Sequence, residues 1–406
     1  MLRRGSDFRK YSFGDPQGYW LTRCSYWDWA RDGSAIPAIL MQPTVTVTRP
    51  GANGGQPEQT NIPNPLYQYR FTNDGFRAQY FSGSQAQAQI TLRQPANVQT
   101  SRNDEADRQM RANYETCRQD TFVLFNIPDF SAFSSSAFQS GDAPTSWTSI
   151  ESIHNQVHGF IGGSGNPQGH MSFVEYSAFD PIFWLHHVNV DRLTAMYQAA
   201  RPGLRVTPQP ATAVFARRVQ PGDVNDINTP LWPFRKLSGS YYTSQDVSTA
   251  SSIWDFGSAY PEVPASYRGR PESELRDFVI GQINTLYGPT AVNARLKRDE
   301  VTTRREWICH FVFTPAEVGG LAQLDIHFNG TNGYMVGAGS ALGKVHYTDQ
   351  DKKMLVTAAV TLTDALLKEG IDIDNPQAVV KYLRASIVWV MRKVPSPASY
   401  TLLYTY

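Results

Sequence analysis

The sequence has little cysteine, no long apolar run and almost no net charge. Its three cysteines, Cys24, Cys117 and Cys309, are widely spaced and form no Cys-x-x-Cys pair, so neither a disulfide framework nor a thiolate zinc site is indicated. No apolar run approaches the ~20 residues of a membrane span, and no apolar segment follows the charges of the first eight residues. We therefore expect a cytoplasmic protein without a membrane partner.

Composition places the chain among ordinary globular proteins. Its 406 residues, 41% of them hydrophobic, are enough to bury a substantial core, and the length suits two domains. With a formal net charge of +1 and scattered Lys and Arg, the chain gives no reason to expect a nucleic-acid partner.

Histidine is missing from the first 153 residues and then concentrated in one stretch, which runs from residue 151 to residue 193 and holds five of the eight histidines. His154 and His158 are four residues apart, so on a helix both imidazoles project from one face and can reach a single ion. Glu151 and Asn155 share an arc of roughly 100° with them. This spacing predicts either a metal site or a hydrated helix face.

A second histidine pair lies in an apolar segment that ends near Leu193. Asp180 and Pro181 are typical of an N-cap and a first helical turn, so we predict a helix with His186 and His187 in its middle. A third imidazole in such a dry pocket would suit copper, zinc or iron. The pair lies about 100° apart on a helix, so the spacing does not tell which of the two binds.

The segments HNQVHGFIGG, GHM and FDPIFWLHHVNVDRL resemble the copper B segment of the type-3 copper proteins, namely tyrosinases, catechol oxidases and molluscan haemocyanins. The resemblance implies that His154, His158 and His187 bind copper and that His186 packs beside the site. It also implies that Phe183 lies against the ligand rings and that Asp191 helps to hold the helix. We further expect Gly159 to leave space above the metal and Met171 to line the entrance.

Glu151 and Asn155 match a pair that some fungal tyrosinases carry on the ligand face. The resemblance implies a water held near the metal as general base for phenol deprotonation. The alternative for Glu151 is a helix N-terminal charge that stabilises the helix dipole.

The run from Tyr26 to Ala30, YWDWA, resembles a landmark that follows the copper A segment in fungal tyrosinases and packs beside the site. The family site holds two coppers, and its copper A needs three more histidines than this chain provides before His154. We therefore expect about one copper here, in an N-terminally truncated copper domain that is inactive as written.

The predicted fold class is α+β: a mainly α-helical type-3 copper bundle with long loops, followed by a β-rich C-terminal domain. We place the copper-binding domain at residues 1–265, a linker with a helix at 266–300 and the C-terminal domain at 301–406. The last of these resembles the fungal tyrosinase domain that shields the active site until it is cleaved. The sequence patterns predict strands at 44–48, 306–313, 324–330 and 400–406, a polar helix or loop at 102–118, a helix at 271–287, and mixed helix and strand at 362–393.

Three polar positions in the C-terminal part carry weaker signals. His310 and His327 lie on predicted strands and are expected to be structural. Asn329 begins a glycosylation sequon that we expect to be unused.

The resemblance implies a tyrosinase-like copper oxidoreductase whose partners are phenolic small molecules and O₂. It would hydroxylate monophenols and oxidise o-diphenols to o-quinones, as in melanin formation. The alternatives are a non-catalytic copper-B-only protein and a haemocyanin-like oxygen carrier.

Overall fold

The computed structural model describes residues 25–31, 35–50, 55–140, 143–144, 148–211, 222–289, 305–318, 321–344, 347, 349 and 355–392. Within these residues the α-helices are α1 (Asp74–Tyr80), α2 (Gly83–Gln87), α3 (Asn103–Leu124), α4 (Phe130–Ser134), α5 (Ile150–Gly162), α6 (Ile182–Ala200), α7 (Ser252–Asp255), α8 (Glu272–Tyr287), α9 (Pro315–Val318), α10 (Thr363–Lys368) and α11 (Pro376–Ser386). None of these helices is both long and apolar enough to cross a bilayer.

The strands of the described part are β1 (Thr44–Arg49), β2 (Glu58–Pro63), β3 (Gln139–Ser140), β4 (Ala143–Pro144), β5 (Gln209–Pro210), β6 (Val224–Asn225), β7 (Pro230–Arg235), β8 (Tyr241–Thr243), β9 (Ile308–Phe313), β10 (Ala322–Phe328), β11 (Tyr334–Ala341), β12 (Val356–Thr361) and β13 (Ile387–Arg392). The first eight form four antiparallel two-stranded sheets, β1–β2, β3–β4, β5–β6 and β7–β8. In the C-terminal part, β10 lies between β11 and β13, and β9 pairs with β12, all antiparallel.

The helical core is built around α3, α5, α6 and α8, which pack against one another. A second apolar core lies between the C-terminal strands and α10 and α11. The predicted α+β class, with a helical core and a β-containing C-terminal part, is confirmed. The domain limits at 265 and 300 stay a prediction, and the strand predicted at 400–406 lies outside the described residues.

Buried hydrogen bonds join strand β12 of the C-terminal part to helices α3 and α5. The Asp120 carboxylate on α3 accepts from the N–H of Thr361 at 3.0 Å and from its hydroxyl at 2.6 Å. Gln156 Nε2 on α5 donates to the Ala359 carbonyl at 2.8 Å. Burial raises the pKa of Asp120 to about 7, although the bonds from Thr361 and Gln156 act in the opposite direction. Strand β12, which pairs with β9, is therefore attached directly to α5, the helix that carries His154 and His158.

Candidate metal centre

Helix α5 begins at a clear N-cap and is anchored by an apolar face. The Ser149 side chain accepts from the N–H of Ser152, and the helix ends before Gly163, whose φ of 84° is left-handed. Ile153 and Val157, one turn apart, are fully buried in the main core. That anchoring fixes the rotation of α5 and so sets the direction of its two histidines.

Helix α6 brings the third predicted ligand to the same place. The Asp180 carboxylate accepts from the N–H of Ile182 at 3.1 Å and is held by Arg93 in a buried ion pair at 2.6 Å. The helix begins at Ile182 with Pro181 as its N-cap residue, one residue later than predicted, and the Asp180 side chain still accepts from its first N–H.

The predicted ligand nitrogens converge. His187 Nε2 lies 3.1 Å from His154 Nε2 and 3.4 Å from His158 Nε2. Two nitrogens bound to one tetrahedral ion at ~2.0–2.1 Å lie about 3.3 Å apart, so the observed spacing fits a shared metal ion. The three rings were selected from the sequence, and the structure brings them together.

The opposite ring nitrogens already have acceptors. His158 Nδ1–H donates to the Met171 carbonyl at 2.7 Å, and His154 Nδ1–H donates to Asn155 Oδ1 at 2.9 Å. A ring that donates through Nδ1 and is neutral keeps its lone pair on Nε2, which is the metal-ligating form. These two bonds therefore fix both the tautomer and the direction of the rings.

Burial keeps the imidazoles neutral. Desolvation lowers the pKa of His154 and, more strongly, that of His158, where the neighbouring histidines add to the effect. The pKa of His187 falls to about 3, first from desolvation and then from His154. A cluster of neutral imidazoles with converging lone pairs suits copper or zinc.

Phe183 lies where it was predicted. Its ring centroid is 3.8 Å from that of His187 with an interplanar angle of 27°, so the two rings stack. The contact fixes the third ring, whose Nδ1 has no hydrogen bond among those seen in the described residues.

Glu151 and Asn155, the two residues predicted to hold the water that acts as general base, both form hydrogen bonds with other protein groups. Glu151 Oε2 accepts from the Ser136 N–H at 2.7 Å and from its hydroxyl at 2.9 Å. Its other oxygen, Oε1, has no hydrogen-bond partner among the described residues, and Asn155 Oδ1 is occupied by His154. The base role of Glu151 stays a prediction.

Three supporting predictions need correction. The Met171 side chain is fully buried and does not line an entrance; what reaches the site is its backbone carbonyl. Gly159 does not leave open space, because a Cβ there would lie 2.8 Å from Ser340 Oγ on β11. The Asp191 side chain is exposed and makes no hydrogen bond or ion pair with the described residues, so the helix support predicted for it is not seen.

The helix is instead held by its neighbour Arg192, which the sequence analysis missed. This buried guanidinium donates to Glu262 at 2.8 Å, lies 3.2 Å from Asp28 and donates to the Tyr287 hydroxyl at 2.9 Å. Asp28 belongs to the YWDWA run, whose packing beside the site is thereby explained. In the sequence, the only indication of this contact is the acidic Asp28 inside that aromatic run.

Three further histidines within the described residues differ in their relation to the site. His186 belongs to the cluster, because His154, His158, His186 and His187 each offer a donor atom within 4.8 Å of the others. His310 on β9 and His327 on β10 lie outside it, as the structural interpretation predicted.

The chain is similar in sequence to known proteins. Residues 16–200 match the family model described as the common central domain of tyrosinase. The chain is 32% identical over 274 residues to a tyrosinase of Neurospora crassa, covering 66% of this chain and 38% of that protein. It is 30% identical over 273 residues to a tyrosinase of Podospora anserina, covering 66% and 45%.

The fold of the chain is also similar to a known structure. A solved structure of a recombinant mushroom tyrosinase matches with a TM-score of 0.75 at 22% identity, covering 93% of this chain and 70% of that one. Fold and histidine cluster together define the type-3 copper proteins as the class. Within that class, the chain belongs to the tyrosinase family. It spans less than half the length of the two curated relatives.

Proposed function

We propose that this chain provides a copper site of a tyrosinase-type phenol oxidase, with His154, His158 and His187 as the ligands. The convergence of their three Nε2 atoms carries the proposal. Phenolic small molecules and O₂ are the proposed substrates: monophenols would be hydroxylated in the ortho position and o-diphenols oxidised to o-quinones. Bound copper would accept one electron per ion, so these two-electron oxidations by O₂ would need a second copper beside this one.

The surrounding residues have positioning roles in this proposal. Asn155 and the Met171 carbonyl each hold one ligand ring through its Nδ1–H. Phe183 covers one face of the His187 ring and keeps water away from it. The lowered pKa values keep the rings deprotonated at Nε2 at neutral pH. The rings can therefore bind a metal ion without first losing a proton.

Glu151 is the proposed general base for monophenols, acting through a water. Its free Oε1 and its position on the ligand face support this role, while Oε2 is occupied by Ser136. A carboxylate within one water of a phenol can accept its proton and contributes about 10²–10⁴-fold in rate.

We propose one copper per chain, because the described residues form one histidine cluster and no histidine precedes His154. Elemental analysis of the purified, copper-loaded chain should give about one copper, and the chain alone should turn over catechol negligibly. His187→Ala should lose the copper, whereas the matched control His310→Ala should keep it. Two tightly held coppers, or retention of copper in His187→Ala, would contradict the ligand set.

The base role is tested in a form of the enzyme that carries a complete two-copper site. Glu151→Gln should lower monophenol hydroxylation by about 10²–10⁴-fold and spare diphenol oxidation, because catechols are more acidic. The matched control is Ser136→Ala, which removes one partner of Oε2 and leaves the carboxylate in place. Equal loss of both activities in Glu151→Gln would show that the residue only anchors the Ser136 turn.

A further inference from the structure

Lysine and arginine are distributed unequally along the chain. Between Lys10 and Lys297 there are twenty arginines and a single lysine, whereas the chain from Lys297 onward contains seven lysines and five arginines. The two side chains carry the same charge, so charge does not account for the difference. A lysine amine can lose its proton and attack an electrophile, whereas a guanidinium stays protonated. The part of the chain before residue 297, which includes the helical core, is therefore poor in amine nucleophiles.

The proposed function, on which this inference rests, makes the difference relevant because its products are o-quinones. An o-quinone has electron-poor ring carbons, and the lone pair of a neutral amine forms a C–N bond to one of them. One proton from the nitrogen and one from the attacked carbon end on the two quinone oxygens, so the ring becomes a catechol that carries the amine. The addition needs no further oxidant. An enzyme that releases o-quinones thus exposes its own lysines to covalent modification.

The single lysine of the part before residue 297 is ion-paired. Lys236 Nζ donates to Asp246 Oδ1 at 2.6 Å and lies 5.6 Å from the centroid of the Tyr242 ring. An ammonium held in this way must leave its carboxylate and lose a proton before it can attack. The two described thiols are shielded as well, because burial raises the pKa of Cys117 and of Cys309.

The described lysines of the C-terminal part differ in how open their amines are. Lys344 is half-buried and has interactions with other groups. Lys368 on α10 donates to Glu115; burial lowers the pKa of Lys368, but the bond to Glu115 and the nearby Tyr334 raise it by more. Lys381 on α11 is exposed and makes no hydrogen bond or ion pair with the described residues. Its amine is therefore the most open to attack among the described lysines.

The surroundings of Lys381 suit a quinone ring. Helix α11 is fixed by Val379, which is fully buried in the second apolar core. The outer face of this helix lines an open hollow with Pro376, Gln377, Val380, Lys381, Arg384 and Ala385. Val380 offers the ring an apolar contact, and the guanidinium of Arg384, one turn from Lys381, can donate to a quinone oxygen.

We propose that Lys381 is a site at which o-quinones add covalently to this protein, in preference to Lys236 and Lys368. The scarcity of lysine before residue 297 spares the part of the chain that holds the histidine cluster. Product that would otherwise react near the ligand histidines is taken up on α11 instead.

A quinone prepared beforehand tests this without copper. The full chain is incubated with equimolar methyl-o-benzoquinone at mildly alkaline pH, the remaining quinone is quenched with a thiol, and the adduct on each peptide is quantified by mass spectrometry. Lys381 should carry about two- to fivefold more adduct than Lys236 or Lys368, the range expected where a surface ion pair must break first. Equal adduct on the three lysines would overturn the proposed site.

Three variants separate the causes. Lys381→Arg keeps the charge and removes the nucleophile, so the adduct on α11 should disappear. Asp246→Asn releases Lys236 and should raise its adduct about two- to fivefold. Arg49→Lys is the matched control, because it places an exposed amine on β1, before residue 297, and should acquire an adduct. An unmodified amine in Arg49→Lys would overturn the protective role of the lysine scarcity.

The inference and the proposed function fail differently, because the quinone is supplied from outside. A chain that is modified at Lys381 as expected, but whose two-copper form oxidises no phenol, would reject the proposed function and leave the selectivity of Lys381 intact. Phenol oxidation by that form, together with equal modification of the three lysines, would reject the inference alone.

Discussion

The two faces of α5 have opposite chemistry. One carries His154 and His158, whose Nδ1–H groups are bound and whose Nε2 atoms converge with that of His187. The other carries Gln156 and Gly159, which lie against the C-terminal strands. The metal face therefore presents converging Nε2 atoms that can bind an ion, whereas the sheet face is packed and hydrogen-bonded against protein.

The C-terminal strands are therefore part of what positions α5, the helix that carries two of the proposed ligands. Gln156 lies between two ligand residues in sequence and donates its side-chain N–H to Ala359 on β12. A helix held on one side by an apolar core and on another by such bonds cannot rotate about its axis. Weakening the sheet face should therefore lower stability first, and weakening the metal face should lower metal affinity first.

The largest effect on the contact between the helices and the C-terminal strands is expected from Asp120 on α3, which bonds Thr361 on β12. Its pKa is raised from 3.8 to about 7 in the folded protein, mainly by burial, so the native state keeps a proton that the unfolded chain releases above about pH 4. Stability should fall as pH rises from about 4 to 7 and then level off. A shift of about three pKa units corresponds to at most about 4 kcal/mol.

Urea unfolding of wild type and Asp120→Asn across this pH range isolates the effect, because all other groups titrate in both proteins. The variant cannot ionise, so its stability should fall less steeply with rising pH. The charged and titratable groups around Asp120 include Glu306, which also raises its pKa, and they stay in place in the variant. Parallel profiles for the two proteins would refute the buried proton.

A smaller effect is expected from overpacking the close contact between α5 and β11. A Cβ in Gly159→Ala would lie 2.8 Å from Ser340 Oγ and 3.3 Å from its Cβ. Overpacking of this kind costs about 1–3 kcal/mol, measurable by thermal unfolding. Combining it with Ser340→Gly should recover most of the loss, and Gly165→Ala, where a Cβ meets nothing within 4 Å, should cost little. Failure of the Ser340 rescue would place the strain elsewhere.

The metal face was largely predictable from the sequence because its determinants are local. A four-residue histidine spacing and the Asp180-Pro181 helix start specify the two helices, and the resemblance selected His187 over His186. The resemblance also implied that Phe183, one turn before His187, lies against the ligand rings, and the two rings do stack.

The contacts that hold this face depend on partners far along the chain. Arg192 joins Asp28 and Glu262, and Gly159 meets Ser340, across separations that no local pattern encodes. The acceptor for His158 Nδ1–H is a backbone carbonyl, and because every residue type has one, the sequence does not indicate which residue provides it. Sequence reasoning therefore identified the ligands and missed most of what orients them.

The smallest effect should come from Asn155, and it concerns only the metal face. Asn155→Ala removes the acceptor of His154 Nδ1–H, so the ring loses its fixed direction while Nε2 remains able to bind. Loss of such a supporting bond typically costs 10–100-fold in metal affinity, and we expect about tenfold, or about 1.4 kcal/mol, because the other two rings stay in place. Asn155→Asp keeps an acceptor oxygen and should retain the affinity. Competition titration with a copper chelator measures all three proteins. If Asn155→Ala binds copper as wild type does but unfolds more easily, the two faces of α5 are less separate than proposed, and Asn155 serves the helix rather than the ligand.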